Sequence, residues 1–110
     1  MQAGRELDLK VAMALGWKVS EGDGIFFDED GHVIDEPKFS TSWEGMGVLV
    51  EEAKKEEIYL DFAHTPDGGY CGFAGVFKDG KYQIDHNTPA VVGAPYAVSL
   101  AYLMAKGIAV

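Results

Sequence analysis

At 110 residues the chain fits one domain, long enough to bury a core without disulfides or metal. A hydrophobic fraction of 47% argues against a disordered chain, and a formal net charge of −9 sets it against DNA and anionic membrane surfaces, both of which would repel it. The same charge suits basic proteins as partners and keeps a small protein soluble. Cys71 is the single cysteine, so no intramolecular disulfide is expected, and the opening residues lack the basic-then-apolar pattern of a secretory signal. A cytoplasmic protein is the expectation.

Leu7, Val11 and Leu15 recur at i, i+4 and i+8 with Ala14 beside them, which predicts an amphipathic helix from Gly4 to Leu15. Gly16 then stands at C′ and Trp17 at C″, where an apolar side chain folds back over the last turn. The run Gly24 to Ile34 holds Asp30-Gly31 between two strand-like stretches, predicting a short acidic-tipped hairpin with a two-residue type I′ turn. In Thr41-x-x-Glu44 the Thr41 hydroxyl can accept from the N3 amide while Glu44 reaches back, so a second helix is expected to begin there. Trp43, Met46, Val50 and Ala53 share its apolar stripe, and Glu51, Glu52, Lys54 and Lys55 lie mostly outside it. Gly45 and Gly47 each cost roughly 1 kcal/mol relative to alanine, so either the backbone packs closely on something there or the first turns are weak.

From Ile58 the period becomes two: Ile58, Leu60 and Phe62 face one way, Tyr59, Asp61 and Ala63 the other. The loop His64 to Gly69 leads into a strand from Tyr70 to Phe77, and Asp79-Gly80 turns it into a partner strand, Lys81 to His86. That register sets Phe77 against Tyr82, Gly75 against Ile84 and Phe73 against His86, with Cys71 one step further on the same face. The opposite face carries Tyr70, Gly72, Ala74 and Val76, whose small members let a helix come close. The last twenty residues, Val91 to Val110, carry one charge, at Lys106. Gly93, Ala94 and Pro95 interrupt this stretch and leave about a dozen residues to Lys106, where a membrane span needs roughly 20. It reads as a buried helix, opened by Pro95, closed by Gly107 and laying Ala97, Leu100, Ala101 and Met104 on the sheet. The order helix, hairpin, helix, strand, hairpin, helix predicts an α+β fold: a mainly antiparallel sheet of four or five short strands with three helices, an α-β-α sandwich if helices cover both faces.

Three stretches carry a resemblance. Ala3-Gly4-Arg5-Glu6-Leu7-Asp8 leading to Gly16-Trp17, then Phe39-Ser40-Thr41 before the Val48 to Glu52 run, and finally Ala94-Pro95-Tyr96-Ala97-Val98-Ser99-Leu100-Ala101 resemble the phage α-β-α sandwich domain family. The family tends to place Trp directly before the acidic-valine run, where this chain has Gly47 and carries its Trp one helical turn earlier, at Trp43. What the resemblance implies is a fold and a phage or prophage origin in a bacterial host. It implies no reaction, ligand or catalytic residue.

Candidate chemistry comes from the residues themselves. Cys71 and His86 share a sheet face in the expected register, which would suit a nucleophile pair, but the neighbouring Phe73, Phe77 and Ile84 make that face apolar and alternation turns Asp85 away. Asp61, His64 and Asp67 offer metal-capable groups without the spacing of a defined site. Asp28-Glu29-Asp30-Gly31 fails as a calcium loop because the twelfth position from Asp28 is Phe39 and the glycine comes fourth. Gly22-x-Gly24 and Gly68-Gly69 lack the strand, helix and lysine of a phosphate loop. No metal or cofactor is expected. The best ligand-site candidates are two polar loops at one sheet end, Asp61, His64 and Tyr70 on one side and His86, Asn87 and Thr88 on the other. The function expected is a small non-enzymatic accessory protein that binds a host or phage protein or assembles with itself. The alternatives are a binder of a small ligand such as a signalling nucleotide, or a hydrolase built on Cys71 and His86. Neither nucleic acid nor membrane is expected as a partner.

Overall fold

The computed structural model describes residues 1–20 and 24–110. Its three helices, α1 (Arg5–Ala14), α2 (Trp43–Lys55) and α3 (Ala94–Ala105), all stop in the same way. After α1 the Gly16 amide donates to Met13 O at 3.0 Å and the Trp17 amide to Ala12 O at 2.9 Å. After α3 the Gly107 and Ile108 amides donate to Met104 O and Leu103 O, and after α2 the Glu57 and Ile58 amides donate to Lys54 O and Ala53 O. Each turn needs one left-handed residue, supplied by Gly16 and Gly107 and, with φ +61, by Glu57. The residue that follows, Trp17, Ile58 or Ile108, folds onto the common core.

Helix α2 is capped by Ser42 rather than Thr41: the Gly45 amide donates to Ser42 Oγ at 2.8 Å. Gly45 sets this one-residue shift, because a Cβ there would lie 2.1 Å from Lys38 O, so only glycine lets the first turn meet that backbone. The buried stripe becomes Gly45, Met46, Leu49 and Ala53, and Trp43 leaves it, 57% exposed. Gly47 meets nothing within 4 Å. The two glycines thus answer the question differently.

A small antiparallel sheet joins β1 (Lys18–Val19), β2 (Phe26–Phe27) and β3 (Val33–Ile34), and Phe26 is buried in the core. The β2–β3 turn is longer than the expected Asp30-Gly31 pair. Gly31 takes a left-handed φ of +85 and its amide donates to Asp28 O, while Asp28 Oδ1 accepts from the amides of Asp30 and His32. The side chain of Asp28 therefore organises the turn, and the His32 amide is the main reason its carboxyl titrates below the ordinary range. Gly22 of the Gly22-x-Gly24 pair lies outside the described residues.

The larger sheet orders β4 (Tyr59–His64), β5 (Tyr70–Lys78) and β6 (Lys81–Asn87), all antiparallel. The architecture is α+β, with six strands in two sheets among the described residues where four or five were expected. Asp79 and Gly80 both take positive φ, as the two-residue turn requires, and Phe77 faces Tyr82 and Gly75 faces Ile84. Beyond that point a bulge at Asp85 shifts the pairing, so Ala74 faces His86 and Phe73 faces Asn87. Helix α3 lies so close to β5 that a Cβ on Gly72 would sit 2.2 Å from Ala97 O. This helix is buried nearly all round: Ala97, Val98, Ser99, Ala101, Tyr102 and Leu103 are at 0% exposure, while Met104, expected on the sheet, is exposed. No helix among the described residues is long and apolar enough to cross a membrane. Leu60, Phe62 and Tyr70 join the core beside α2 and α3, so both helices cover the same face of the larger sheet.

Two polar contacts bind distant segments into this frame. Asp8, almost wholly buried, accepts at Oδ1 from the Ser40 amide and hydroxyl at 2.8 and 2.7 Å, and Ser40 Oγ accepts from the Gly4 amide. The Tyr102 hydroxyl donates to the Glu56 carboxylate at 2.9 Å, which Lys106 Nζ also meets at 2.9 Å. Burial first, then Glu56, pushes the Tyr102 phenol well above its ordinary pKa.

Alanine at Gly45 should lower stability by about 1–3 kcal/mol through overpacking, whereas alanine at Gly47 should raise it by about 0.5–1 kcal/mol, both read from urea unfolding. Tyr102→Phe should lose about 1.5–3 kcal/mol at neutral pH, because its hydrogen bond is to a carboxylate. Since the folded state keeps the Tyr102 proton more tightly, that residue's contribution is present below pH about 10 and declines as pH rises further. The gap between wild type and Tyr102→Phe should therefore narrow in alkaline unfolding curves.

Candidate functional site

The strand period and the start of α2 bring four rings to one corner. Phe62 and His64 stand on the helix side at the end of β4, Tyr70 pairs with His64 across the hairpin, and Trp43 opens α2 above them. Trp43 lies edge-on to Phe62 at 5.5 Å and to Tyr70 at 6.5 Å between centroids, Phe62 and Tyr70 are 5.9 Å apart, and His64 tilts against Tyr70 at 4.8 Å. Such edge-to-face pairs hold one another in place. Trp43 and His64 are exposed on this base of half-buried Phe62 and Tyr70, so the corner presents a large aromatic surface with a polar ring at its rim.

The candidate ligand residues do not form one site. His64 and Tyr70 meet in the aromatic corner. Asp61 and Asn87 flank Phe73 from either side on the opposite face of the sheet. His86 is on the helix side but pairs with Ala74, four residues along β5 from Tyr70 and so roughly 13 Å away. Thr88 is buried: its Oγ1 accepts from the Gly72 amide at 2.8 Å and its own amide donates to Gly72 O. The loop beside His64 is a closed hairpin, in which the Thr65 hydroxyl donates to Asp67 and accepts from the Gly69 amide. That hydroxyl is the first cause of Asp67's lowered pKa. Its neighbours are residues 90–92 rather than 86–88, and the shallow groove of about 360 Å³ between them is lined by Asp67, Gly68, Gly69, Ala90, Val91 and Val92. With Asp67 the one charged group in that lining, a phosphate would find no counter-charge there.

The Cys71–His86 pair does not form. Cys71 stays on the face of Phe73, and the bulge carries His86 to the helix side. A nucleophile and base on opposite faces of a sheet cannot share a proton. Asp61 and His64 are likewise divided by alternation, which breaks up the Asp61, His64, Asp67 grouping. The metal-capable groups that do meet among the described residues are Asp28, Asp30 and His32, with ligand atoms within 4.8 Å of one another. They belong to the β2–β3 turn, where Asp28 Oδ1 is already engaged by two amides.

Trp43, expected on the apolar stripe of α2, and Phe62, not among the candidate ligand residues, are the members of the corner that the sequence does not single out. The signal was the choice of cap: starting α2 from Ser42 turns Trp43 outward, beside the alternation that carries Phe62.

No family model matches the chain, and no curated protein matches it. Among solved structures it is similar to a phage protein from Bacillus cereus ATCC 14579, with a TM-score of 0.63 and 18% identity over 100% of this chain and 94% of that one. The two share a fold. The likeness extends over nearly the full length of both.

The two tryptophans should report the corner directly. With Trp17 replaced by Phe, the remaining Trp43 emission should be red-shifted and readily quenched by acrylamide; with Trp43 replaced, the Trp17 emission should be blue-shifted and protected. Equal quenching of both would contradict the exposed corner.

Proposed function

We propose that the chain is a small one-domain phage or prophage accessory protein that works in the bacterial cytoplasm by binding another protein, with Trp43, Phe62, His64 and Tyr70 as its contact surface. The observation that carries this reading is Trp43 itself, 57% exposed yet held edge-on by Phe62 and Tyr70. An indole ordered in the unbound protein has little left to lose in entropy on contact, and Trp, Tyr and Arg are enriched among the few residues that carry most of the energy of protein interfaces. The shared fold with a phage protein supports the origin. Separation of Cys71 from His86 counts against the hydrolase reading, and the acidic lining of the loop groove counts against a nucleotide.

The test is affinity capture from host cells carrying the phage or prophage, comparing wild type with Trp43→Ala and Tyr70→Ala. Because Trp43 is largely outside the core, the first variant should keep its fold and Tm within a few degrees while losing a specific partner by roughly 2 kcal/mol, about 30-fold in Kd. A partner held equally well by Trp43→Ala would remove the corner from the interface.

A further inference from the structure

The face of the larger sheet turned away from α2 and α3 carries Tyr59, Phe73, Phe77, Tyr82 and Ile84. Phe77 and Ile84 are 56% and 50% exposed, and the helices that pack on this sheet lie on its other side. The face is built, not merely left over. Tyr82 reaches across Gly75 to donate its hydroxyl to Tyr59 O at 2.9 Å, and a Cβ on Gly75 would stand 2.9 Å from the Tyr82 ring. Phe77 completes the platform, 4.8 Å edge-on to Tyr59 and 5.5 Å from Tyr82. Asp61 lies two residues beyond Tyr59 on the same side of β4, and Asp85, exposed, is the bulge residue next to Ile84.

Rings fixed by one another and flanked by carboxylates are suited to long cationic side chains. An arginine or lysine stem packs along apolar rings, its head group gains from the ring faces, and the carboxylate supplies the charged hydrogen bond. We propose that this uncovered sheet face docks a protein segment in which apolar side chains alternate with arginine or lysine. A second copy of this chain is the poorer occupant, since each copy carries a net charge of −9 and would set its own carboxylates against Asp61 and Asp85. The basic residues of β5 and β6, Lys78 and Lys81, pair with each other next to the turn, away from Asp61 at the position of Phe73. This surface is independent of the aromatic corner, which occupies the other side of the same sheet.

The experiment is a titration of isotope-labelled protein with a short, end-capped peptide of alternating leucine and arginine, and with its twin carrying glutamate for arginine, followed by amide chemical shifts. The arginine peptide should saturate and move the resonances of Tyr59, Asp61, Phe77, Tyr82 and Asp85, and the glutamate peptide should not bind. Asp61→Lys with Asp85→Lys, both at exposed positions, should weaken the arginine peptide by roughly tenfold or more, and Phe77→Ser should weaken it comparably while far-UV circular dichroism is unchanged. Saturation that maps elsewhere, equal binding of the two peptides, or insensitivity to these variants would overturn the proposal. So would concentration-dependent shifts of the same residues without peptide, which would assign the face to a second copy.

Discussion

The close approach of α3 to β5 is the constraint from which the remaining arrangement follows. At Gly72 a side chain of any size would collide with the Ala97 carbonyl, and the same residue uses both of its backbone groups on Thr88, which holds the end of β6 in line. With Ala74 also beneath the helix, the sheet can receive α3 at near-contact distance, and Val98, Tyr102 and Leu103 are driven fully out of water. Each such side chain contributes about 1.5–3 kcal/mol of burial. A helix this apolar has no polar face to orient it. Its position is fixed instead by the small residues of β5 below, by Tyr102 bonded to Glu56, and by α1 and α2 alongside.

A buried polar group at the start of α1 sets a second constraint. Gly4, Asp8 and Ser40 come from stretches far apart in sequence and form one hydrogen-bonded group at the start of α1. A carboxylate this buried is tolerable only because an amide and a hydroxyl face it. The group tethers the segment before α2 to α1, and Gly45 then brings the first turn of α2 against Lys38. Gly4, Asp8, Ser40 and Gly45 therefore serve packing.

Most of the elements were legible because their signals are local. Gly16-Trp17 and Gly107-Ile108 announce helix ends through the residue that must be left-handed and the apolar one that must fold back, and Asp79-Gly80 announces its turn. Where a signal was degenerate, the reading slipped by one residue. Thr41 and Ser42 can both cap a helix, and only the fit of Gly45 against Lys38 selects Ser42, which turns Trp43 from core to surface. Glu57 occupies a left-handed position that its side chain gives no reason to expect. The bulge at Asp85 is hidden in the same way: an extra residue leaves the composition of a strand unchanged while moving every later side chain to the other face. One such residue dissolves the Cys71–His86 pair and separates His86 from Asn87's partners. Of the candidate site, the His64–Tyr70 contact lies before the bulge and depends on a simple hairpin, and it is the part that comes together.

The sheet also divides its side chains by size. On β5 the helix side carries Gly72 and Ala74 and the open side carries Phe73 and Phe77, an assignment that α3 requires at the first two positions and does not require at the others. Serine or threonine at Phe77 and Ile84 would satisfy the strand and remove apolar surface from water. The rings are instead present and tied down by the Tyr82 hydroxyl, beside Gly75, where a side chain would meet the β6 backbone and the Tyr82 ring. A glycine inside a strand weakens it unless something passes close over it. At Gly75 the β6 backbone comes nearest, a Cβ there lying 2.3 Å from Gln83 O, and the Tyr82 ring follows at 2.9 Å, so the one glycine admits both the bulged strand and the ordered aromatic surface.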